Sequence, residues 1–383
     1  MPPQVPSLVS ILADLPDVRH ARGKRHALPA LLTLACLAML CGADSQTAIA
    51  DWLTDHDALW RTRLGFTHAK GPTQSTFSRL FQTLPIAAFE AALAAWAEHV
   101  YRALRTAPPA NELPPPLAGL ALDGKTLRGS ATSRLPGRHL LSAFTHQCGL
   151  VLGQTAVADK TNEITVAPRL LAGLVLEGRL VTADALLTQR AIAAQIVAAK
   201  GDYLLVVKEN QPDLLADVQA VFAAGRLLAD TIQQAYTVQL HGNRIEERAL
   251  QASTALAGYS DWPGLAQVLE VSRVVTQKGR GRWRYEVAYA ITSLPPERAS
   301  ADQLLGAWQA HWEIENRLHW VRDVTFGEDR AGVRAGAGPQ VLAALRNTVI
   351  GLLRGQGASN LARSRRRYAA QPQAALTLLG LPS

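Results

Sequence analysis

The chain has 383 residues, of which 48% are hydrophobic, and its formal net charge is +8 at pH 7. That length suits two or three domains, and the hydrophobic content excludes a disordered chain because it supplies enough apolar surface for sizeable cores. The three cysteines, Cys36, Cys41 and Cys148, form no CxxC pair and no His/Cys cluster, which argues against a disulfide scaffold or zinc site and favours a reducing cytosol. The basic balance favours a polyanionic partner, either nucleic acid or a membrane surface.

The first hundred residues predict a helical domain, residues 1–105, because apolar residues recur there at three- and four-residue spacing. Residues 27–43 carry no charge and follow a basic cluster, as in a signal peptide or an anchor. Pro29 interrupts the run, and it is shorter than the roughly 20 apolar residues of a membrane span. It therefore predicts a buried helix of a soluble protein. Five prolines between residues 106 and 116 predict a linker.

After the linker the pattern changes to short apolar runs that alternate with helical segments. The predicted order is three strands, a helix, a strand, a helix and a strand, over residues 117–123, 139–145, 149–158, 163–174, 180–183, 188–200 and 203–207. Such an order gives an α/β fold with a mixed sheet flanked by helices. It is also the strand order of the ribonuclease H fold, in which one carboxylate lies on the first strand and another just after the fourth. A ribonuclease H-like domain over residues 117–355 is therefore expected.

Residues from 208 to about 295 predict a β-rich insertion, and residues 356–383 a basic C-terminal tail. Within the insertion, one side of a period-two strand holds aromatic residues from Trp283 onward. The opposite side begins with a row of cations, namely Lys278, Arg280, Arg282 and Arg284. This pattern suits a strand edge that follows DNA phosphates. A solvated, mobile loop is the alternative, because glycines separate the cations.

Two aspartates come at the ends of apolar strands, where the backbone has little reason to place a charge. Asp123 follows Leu120–Leu122, and Asp184 follows Leu180–Ala183. Metal-dependent phosphodiester cleavage uses two divalent ions about 3.5–4 Å apart, and these ions take carboxylate oxygens as ligands. Each aspartate on its own is better explained by a turn or a helix cap. Their common occurrence at these two strand ends favours a metal site.

A third carboxylate is predicted from helix geometry in the segment that follows the insertion. At 100° per residue, Glu315 shares the apolar stripe of Leu304, Trp308, His311, Leu318 and Arg322, whereas Glu313 points to the opposite side. A carboxylate on an apolar face is costly without a partner, which predicts a function for Glu315. The alternative is a buried ion pair between Glu315 and Arg322.

Several strings of the chain resemble the H-repeat-associated DDE transposases of bacterial insertion sequences, over roughly residues 10 to 355. These strings are PTQSTFSRLFQTL (72–84), LALDGKTLRGS (120–130), KTNEIT (160–165), VTADALLTQ (181–189), GDYLLVVKENQP (201–212), HGNRIEER (241–248) and HWEIENRLHWVRDVTFGED (311–329). The resemblance assigns the catalytic, metal-binding triad to Asp123, Asp184 and Glu315. A wider Tyr, Arg, Glu, Lys signature falls on Trp308, His311, Glu315 and Arg322, with substitutions at three of the four positions.

What the resemblance implies is a transposase that works in the cytoplasm at the nucleoid. It implies hydrolysis at transposon ends with two Mg²⁺ ions, for which Mn²⁺ is expected to substitute, and then attack of the freed 3′-hydroxyl on target DNA. The partners are double-stranded DNA, as inverted-repeat ends and target, and further copies of the chain in a homodimer or larger assembly. The expected DNA-contacting residues are Lys125, Arg128, Lys208, His241, Arg244, Lys278, Arg280, Arg282, Arg284, His311 and Arg322.

Two other functions remain open at this point. A plain metal-dependent nuclease would use the same three carboxylates without joining strands. A DNA-binding protein descended from a transposase would keep the fold and lose the chemistry. In a transposase or a nuclease the three carboxylates are expected to converge to within about 4–8 Å, given the spacing of two bound metals.

Overall fold

A computed structural model describes residues 5–56, 58–105, 117–157, 162–225, 230–278 and 283–381 of the chain. The described helices are α1 (Leu8–Ala13), α2 (Leu28–Leu40), α3 (Gln46–Thr54), α4 (Ala58–Arg63), α5 (Gln74–Thr83), α6 (Ile86–Arg105), α7 (Glu163–Ala172), α8 (Arg190–Ala198), α9 (Pro212–Ala223), α10 (Ala301–His311), α11 (Trp320–Val324), α12 (Gly338–Gly355), α13 (Leu361–Ala370) and α14 (Pro372–Leu379). The described strands are β1 (Gly119–Leu127), β2 (Arg138–Thr145), β3 (Val151–Val157), β4 (Leu180–Ala183), β5 (Asp202–Val207), β6 (Ile232–His241), β7 (Arg244–Ser253), β8 (Gln267–Gln277) and β9 (Trp283–Thr292).

The nine strands form one sheet in the order β3-β2-β1-β4-β5-β9-β8-β7-β6. β1 pairs with β4, and β4 with β5, in parallel, whereas the other described pairs are antiparallel. The predicted succession of three strands, a helix, a strand, a helix and a strand is present, because short apolar runs that are buried on both faces form strands. The α/β class with a mixed sheet flanked by helices is therefore confirmed.

The chain packs into two compact units. The first contains residues 1–108, 124–160 and 314–383, and the second contains residues 109–123 and 161–313. This packing groups the chain differently from the domains expected along the sequence. The division between a helical domain at 1–105 and a catalytic domain at 117–355 stays a prediction, and the predicted linker, 106–116, lies outside the described residues.

In the first unit, α2 is the central helix. All of its residues except Pro29 are buried, as predicted for the uncharged segment, and it packs against α1, α3, α12, α13 and α14. Ser45 accepts a hydrogen bond from the amide of Ala48, 3.1 Å away, and so caps α3. Within the described ranges, no single helix is long and apolar enough to cross a membrane, although the bent pair α5–α6 passes a test of length and composition alone.

The basic tail expected from composition contains α13 and α14, which fold onto α2. Arg365 is buried there, and its guanidinium donates to the backbone oxygens of Met39, Ala43 and Thr325 over 2.5–2.9 Å. It also lies over the Phe326 ring, 4.2 Å from the ring centre. Buried contacts thus hold the C-terminal segment against the amino-terminal helices, and the local sequence pattern does not predict them.

In the second unit, the insertion forms the antiparallel strands β6 to β9. The alternation predicted for β9 is present: Trp283 and Tyr285 share one face and are 70% and 55% exposed. The predicted strand edge is wrong, because β9 lies between β5 and β8 inside the sheet, and β6 forms the edge. Arg284 on the other face pairs with Glu286 at 2.5 Å, which offsets part of the expected cation row. Arg280 and Arg282 lie outside the described residues.

Candidate active site

Asp123 and Asp184 follow matching positions of two neighbouring parallel strands. The register of β1 and β4 pairs Leu122 with Ala183, and each aspartate is the next residue along the chain: Asp123 lies within β1, and Asp184 directly follows β4. Neighbouring strands are roughly 4.8 Å apart, and residues in register project to the same side of a sheet. Asp123 is half-buried and Asp184 is exposed. The sheet therefore places the backbones of two aspartates that are far apart in the sequence next to each other.

The carboxyl group of Asp184 is held by the turn that follows β4. Its Oδ1 accepts a hydrogen bond from the amide of Leu186, 3.1 Å away, so it also caps the short helix Ala185–Leu187. Asn210 donates to the carbonyl of Ala185 at 2.6 Å and fixes the same turn. The helix-cap explanation of this aspartate is thus correct for one of its oxygens, and it does not account for the alignment with Asp123.

The electrostatic surroundings of Asp184 oppose its ionisation. Neighbouring protein atoms desolvate the carboxyl group even though the residue is exposed, and the negative charge of Glu163 adds to this effect, so that the pKa of Asp184 is raised above its ordinary value. The positive charge of Lys208 acts in the opposite direction. Glu163, at the start of α7, was not predicted as a site residue, although it stands in the string KTNEIT. A bound cation would relieve this concentration of negative charge.

Helix α10 packs against the same strand. His311, at the end of α10, shares a hydrogen bond of 2.9 Å between its Nδ1 and Oγ1 of Thr182, two positions before Asp184 on β4. Both side chains are buried. Through this contact α10 packs against β4 close to the strand end that Asp184 follows. The chain leaves α10 at this point and continues to Glu315.

Burial lowers the pKa of His311 to about 4, so this imidazole is neutral near pH 7. In the unfolded chain a histidine takes up its proton near pH 6.5. The contribution of neutral His311 to the free energy of unfolding is therefore fully present above pH 6.5. It is lost as the pH falls toward 4, and the free energy of unfolding decreases by about 3 kcal/mol over this interval. We expect the free energy of unfolding, measured by urea titration between pH 7 and pH 4, to fall less steeply for His311→Asn than for the wild type. The control is Gln234→Asn, which changes an exposed residue of β6 that does not titrate, and a slope for His311→Asn equal to that of the wild type would contradict the assignment.

Glu315 lies at the start of a π-helix, Glu315–His319, which follows the end of α10. The single helical wheel from Leu304 to Arg322 is therefore wrong, because a π-turn contains an extra residue and shifts every later side chain around the axis. Glu315 is exposed and Glu313 is half-buried, the reverse of what the wheel predicts. Among the described residues the Glu315 carboxylate has no ion-pair partner. π-Helices are rare and occur often at functional sites.

The alternative ion pair between Glu315 and Arg322 is also wrong. Arg322 is fully buried, and its Nε and Nη2 lie 2.8 Å from Oε2 of Glu328. Arg346 donates to the other carboxylate oxygen of Glu328 at 3.0 Å. Burial alone would raise the pKa of Glu328, but the two guanidinium groups outweigh it and hold the pKa below its ordinary value. The only sequence signal for this cluster was an acid shortly after Arg322 in VRDVTFGED.

The cations predicted to contact DNA separate into an exposed and a buried set. The exposed ones are Arg128, Lys208, His241, Arg244, Lys278 and Arg284. Lys125 is half-buried and donates to Oδ2 of Asp323 at 2.6 Å, while His311 and Arg322 are buried. The burial of His311 and Arg322 against protein partners argues against a phosphate contact by these two, whereas a DNA contact by Lys125 stays a prediction.

The donor chemistry of the aspartate pair fits a hard divalent ion. Mg²⁺ is commonly held by one or two carboxylates, with waters and substrate phosphates completing an octahedral shell. Asp123 and Asp184 supply two such carboxylates. Within the described part of the chain, no group of three or more His, Cys, Asp or Glu side chains converges tightly enough to hold a metal by itself. The convergence of Glu315 on this pair stays a prediction.

Comparison with known proteins gives a consistent assignment over most of the chain. Residues 9–97 match the family described as DDE_Tnp_1-associated, and residues 114–352 match the Transposase DDE domain. The proposed transposase YncI of Escherichia coli O157:H7 is 30% identical over 358 residues, 91% of this chain and 88% of that protein. The H repeat-associated proposed transposase YhhI of Escherichia coli K12 is 28% identical over 359 residues, 91% of each chain.

A solved piggyBac transposase synaptic complex with hairpin DNA aligns over 97% of this chain and 76% of that chain, with a TM-score of 0.42 and 10% identity. A likeness at that level supports no conclusion about this chain. The family match over residues 114–352 and the full-length relatives are sufficient on their own. This chain belongs to the DDE transposase family.

Proposed function

We propose that the protein is an active transposase that cleaves phosphodiester bonds at transposon ends in the presence of Mg²⁺ and transfers the freed 3′-hydroxyl into target DNA. One observation carries the proposal: Asp123 and Asp184 are the residues that follow the last register pair, Leu122 and Ala183, of the parallel strands β1 and β4, in a chain of the DDE family. The strand order β3-β2-β1-β4-β5, with β2 and β3 antiparallel and the β1–β4 and β4–β5 pairs parallel, supports the finer proposal of a ribonuclease H-like domain.

In this proposal Asp123, Asp184 and Glu315 supply the carboxylate oxygens that hold two Mg²⁺ ions, and Mn²⁺ substitutes for them. Bound Mg²⁺ provides an activated water and stabilises the leaving oxygen. The raised pKa of Asp184 means that a proton competes with the metal at a higher pH than at an ordinary aspartate. Lys208 is exposed and close enough to lower that pKa by its charge, which suits it to contact the scissile phosphate.

The proposed partners are transposon ends and target DNA, bound by a homodimer or larger assembly of this chain at the nucleoid. The net charge of +8 and the exposed cations on the insertion support DNA binding. Arg244 follows the turn between β6 and β7, and Lys278 lies beside that turn, where its amide donates to the carbonyl of Asn243 at 3.0 Å. These cations therefore cluster at one end of the insertion sheet.

Purified protein incubated with Mg²⁺ and supercoiled plasmid separates the proposal from its alternatives. We expect nicking and strand transfer that depend on Mg²⁺ and on an end-containing donor. A plain nuclease would convert plasmids with and without ends equally and would join nothing. A DNA-binding descendant would shift the plasmid in a gel and leave it supercoiled, and either result would overturn the proposal. Inverted repeats in the DNA that flanks the gene provide the end sequences for the donor.

The cation row is expected to bind phosphates without affecting the chemistry. Replacing Lys278, Arg280, Arg282 and Arg284 by alanine should reduce the slope of log K against log salt by about 0.9 for each phosphate that is no longer bound. The reduction due to Arg284 should be smaller, since Glu286 already pairs with it. The control is Arg102→Gln, which removes an exposed charge from α6. A slope equal to that of the wild type would show that the row is only solvated.

A further inference from the structure

A groove of about 1180 Å³ opens within the first compact unit. Residues of π-helix Glu315–His319, α11, α12 and α13 form most of its walls, and the turn between β2 and β3 contributes Gln147 and Cys148. Asn316 and Arg317 line the groove, so it begins one residue along the chain from the proposed catalytic Glu315. None of the residues assigned to catalysis or DNA contact lines it.

The groove is strongly basic. Four of the described lining residues are arginines, namely Arg317, Arg354, Arg365 and Arg366, and none is Asp or Glu. Arg317 donates to the backbone oxygen of His146 at 2.9 Å, and Arg354 donates to the backbone oxygen of Arg317 at 2.5 Å. Arg366 on α13 is exposed. The field inside the groove therefore favours a polyanion.

An exposed aromatic side chain stands among these cations. Trp320, the first residue of α11, lines the groove and is 58% exposed. Cation-lined grooves that present aromatic rings bind unpaired nucleic acid, because arginines follow the phosphates while bases stack on the rings. In a duplex the faces of the bases are covered by their neighbours, so only an unpaired strand can stack in this way. Polar neutral residues such as Asn316 and Asn360 provide hydrogen-bonding groups along the same walls.

We propose that this groove binds an unpaired stretch of a DNA strand, which stacks on Trp320 and is held at its phosphates by Arg317, Arg354 and Arg366. The proposal rests on the proposed function, since a transposon end that is bound at Glu315 and locally opened would place an unpaired strand beside this groove. Arg365 has a different role, because its guanidinium is engaged by three backbone carbonyls and holds α13 in place as a wall.

The cysteines of this chain provide a direct test of occupancy without mutation. Cys148 is half-buried and lines the groove, whereas Cys36 and Cys41 are buried and burial raises the pKa of each to about 12. Burial also raises the pKa of Cys148, so labelling with a maleimide is best followed near pH 9, where a larger share of the thiol is ionised. We expect a saturating thymidine oligonucleotide to slow the labelling of Cys148 about tenfold or more. A duplex of the same length should leave the rate within about twofold.

Substitutions test which side chains bind the strand. Trp320→Ala should weaken binding of the oligonucleotide by about 5- to 160-fold, the range found when alanine replaces an aromatic side chain that stacks on one base. The control is Trp283→Ala, which removes an indole from β9 that is even more exposed than Trp320. Arg366→Gln should weaken binding more than Arg367→Gln, because both arginines are exposed on α13 and only Arg366 lines the groove.

The failure of this proposal can be distinguished from the failure of the proposed function. Unchanged labelling of Cys148 with the oligonucleotide, or equal protection by the duplex, would overturn the groove proposal. So would equal affinities of the Trp320→Ala and Trp283→Ala variants. The wild-type protein's Mg²⁺-dependent cleavage of a duplex transposon end is measured separately, and its absence would overturn the proposed function whatever the labelling shows.

Discussion

Glu315→Gln is expected to cleave transposon-end DNA roughly 10³-fold more slowly than the wild type in Mg²⁺, because glutamine keeps the shape of the side chain and removes the charge that would hold a metal beside the leaving oxygen. Binding of the same DNA should be retained, since every exposed cation is unchanged. Glu315 is exposed and has no ion-pair partner among the described residues, so the substitution should cost little stability. Single-turnover cleavage of a labelled end, alongside a filter-binding assay, separates the two effects.

Glu313 is the matched control, because it is the same residue type two positions away. It is half-buried and precedes the π-helix, whereas Glu315 begins it. Glu313→Gln should cleave within about tenfold of the wild type, which corresponds to about 1.4 kcal/mol in the activation barrier. Thermal midpoints of both variants would show whether a lower rate reflects partial unfolding.

The two variants together test the assignment of the third carboxylate. If they lose activity equally, or if Glu313 is the essential residue, the third carboxylate has been assigned wrongly. The proposal for Asp123 and Asp184 would survive that outcome, because it depends on the register of β1 and β4. If an Asp184→Asn variant still cleaved DNA, the proposal that Asp123 and Asp184 hold a catalytic metal would be wrong. The helix cap would then be the whole role of Asp184.

The strands could be predicted from the sequence because local burial alone specifies them. Leu180–Ala183 is a strand with the predicted bounds, and each of its residues is buried. Alternation was sufficient to predict β9 and the faces of Trp283 and Tyr285. It could not predict the position of β9 in the interior of the sheet, since the pairing of β9 with β5 depends on residues distant in the chain.

The candidate site shows the same limit. Asp123 and Asp184 were found because each ends an apolar run, a local signal. The helical wheel around Glu315 failed because it assumed a constant turn, and a π-helix gives no signal in hydrophobic spacing. The pairing of Arg322 with Glu328 rather than Glu315 could not be predicted from the sequence either, because it depends on how the chain folds back after α11. Resemblance to the family assigned Glu315 without this geometry.

The buried cluster of Glu328 with Arg322 and Arg346 is expected to be the most sensitive position of the first unit to substitution. Glu328 is 3% exposed, and the two arginines are 0% and 2% exposed. Glu328→Ala would leave two buried guanidinium groups without the carboxylate that pairs with both of them. Removal of one member of a buried ion pair typically costs about 3–5 kcal/mol, a large part of the 5–15 kcal/mol by which domains are stable. The midpoint and slope of urea unfolding would measure it.

The neighbouring Asp329 provides the control for this prediction. Its side chain is 28% exposed and lies 3.9 Å from Nζ of Lys125, so Asp329→Asn should cost about 1 kcal/mol or less, as at other solvated pairs. A further variant tests the cause: Glu328→Leu combined with Arg322→Met and Arg346→Leu removes all three charges together. The expected loss of stability in Glu328→Ala comes from the buried, unpaired charges of Arg322 and Arg346. The triple variant has no such charges, so it should be more stable than the single variant. If the triple variant is the less stable of the two, packing or hydrogen bonding at this cluster, and not charge, determines its contribution.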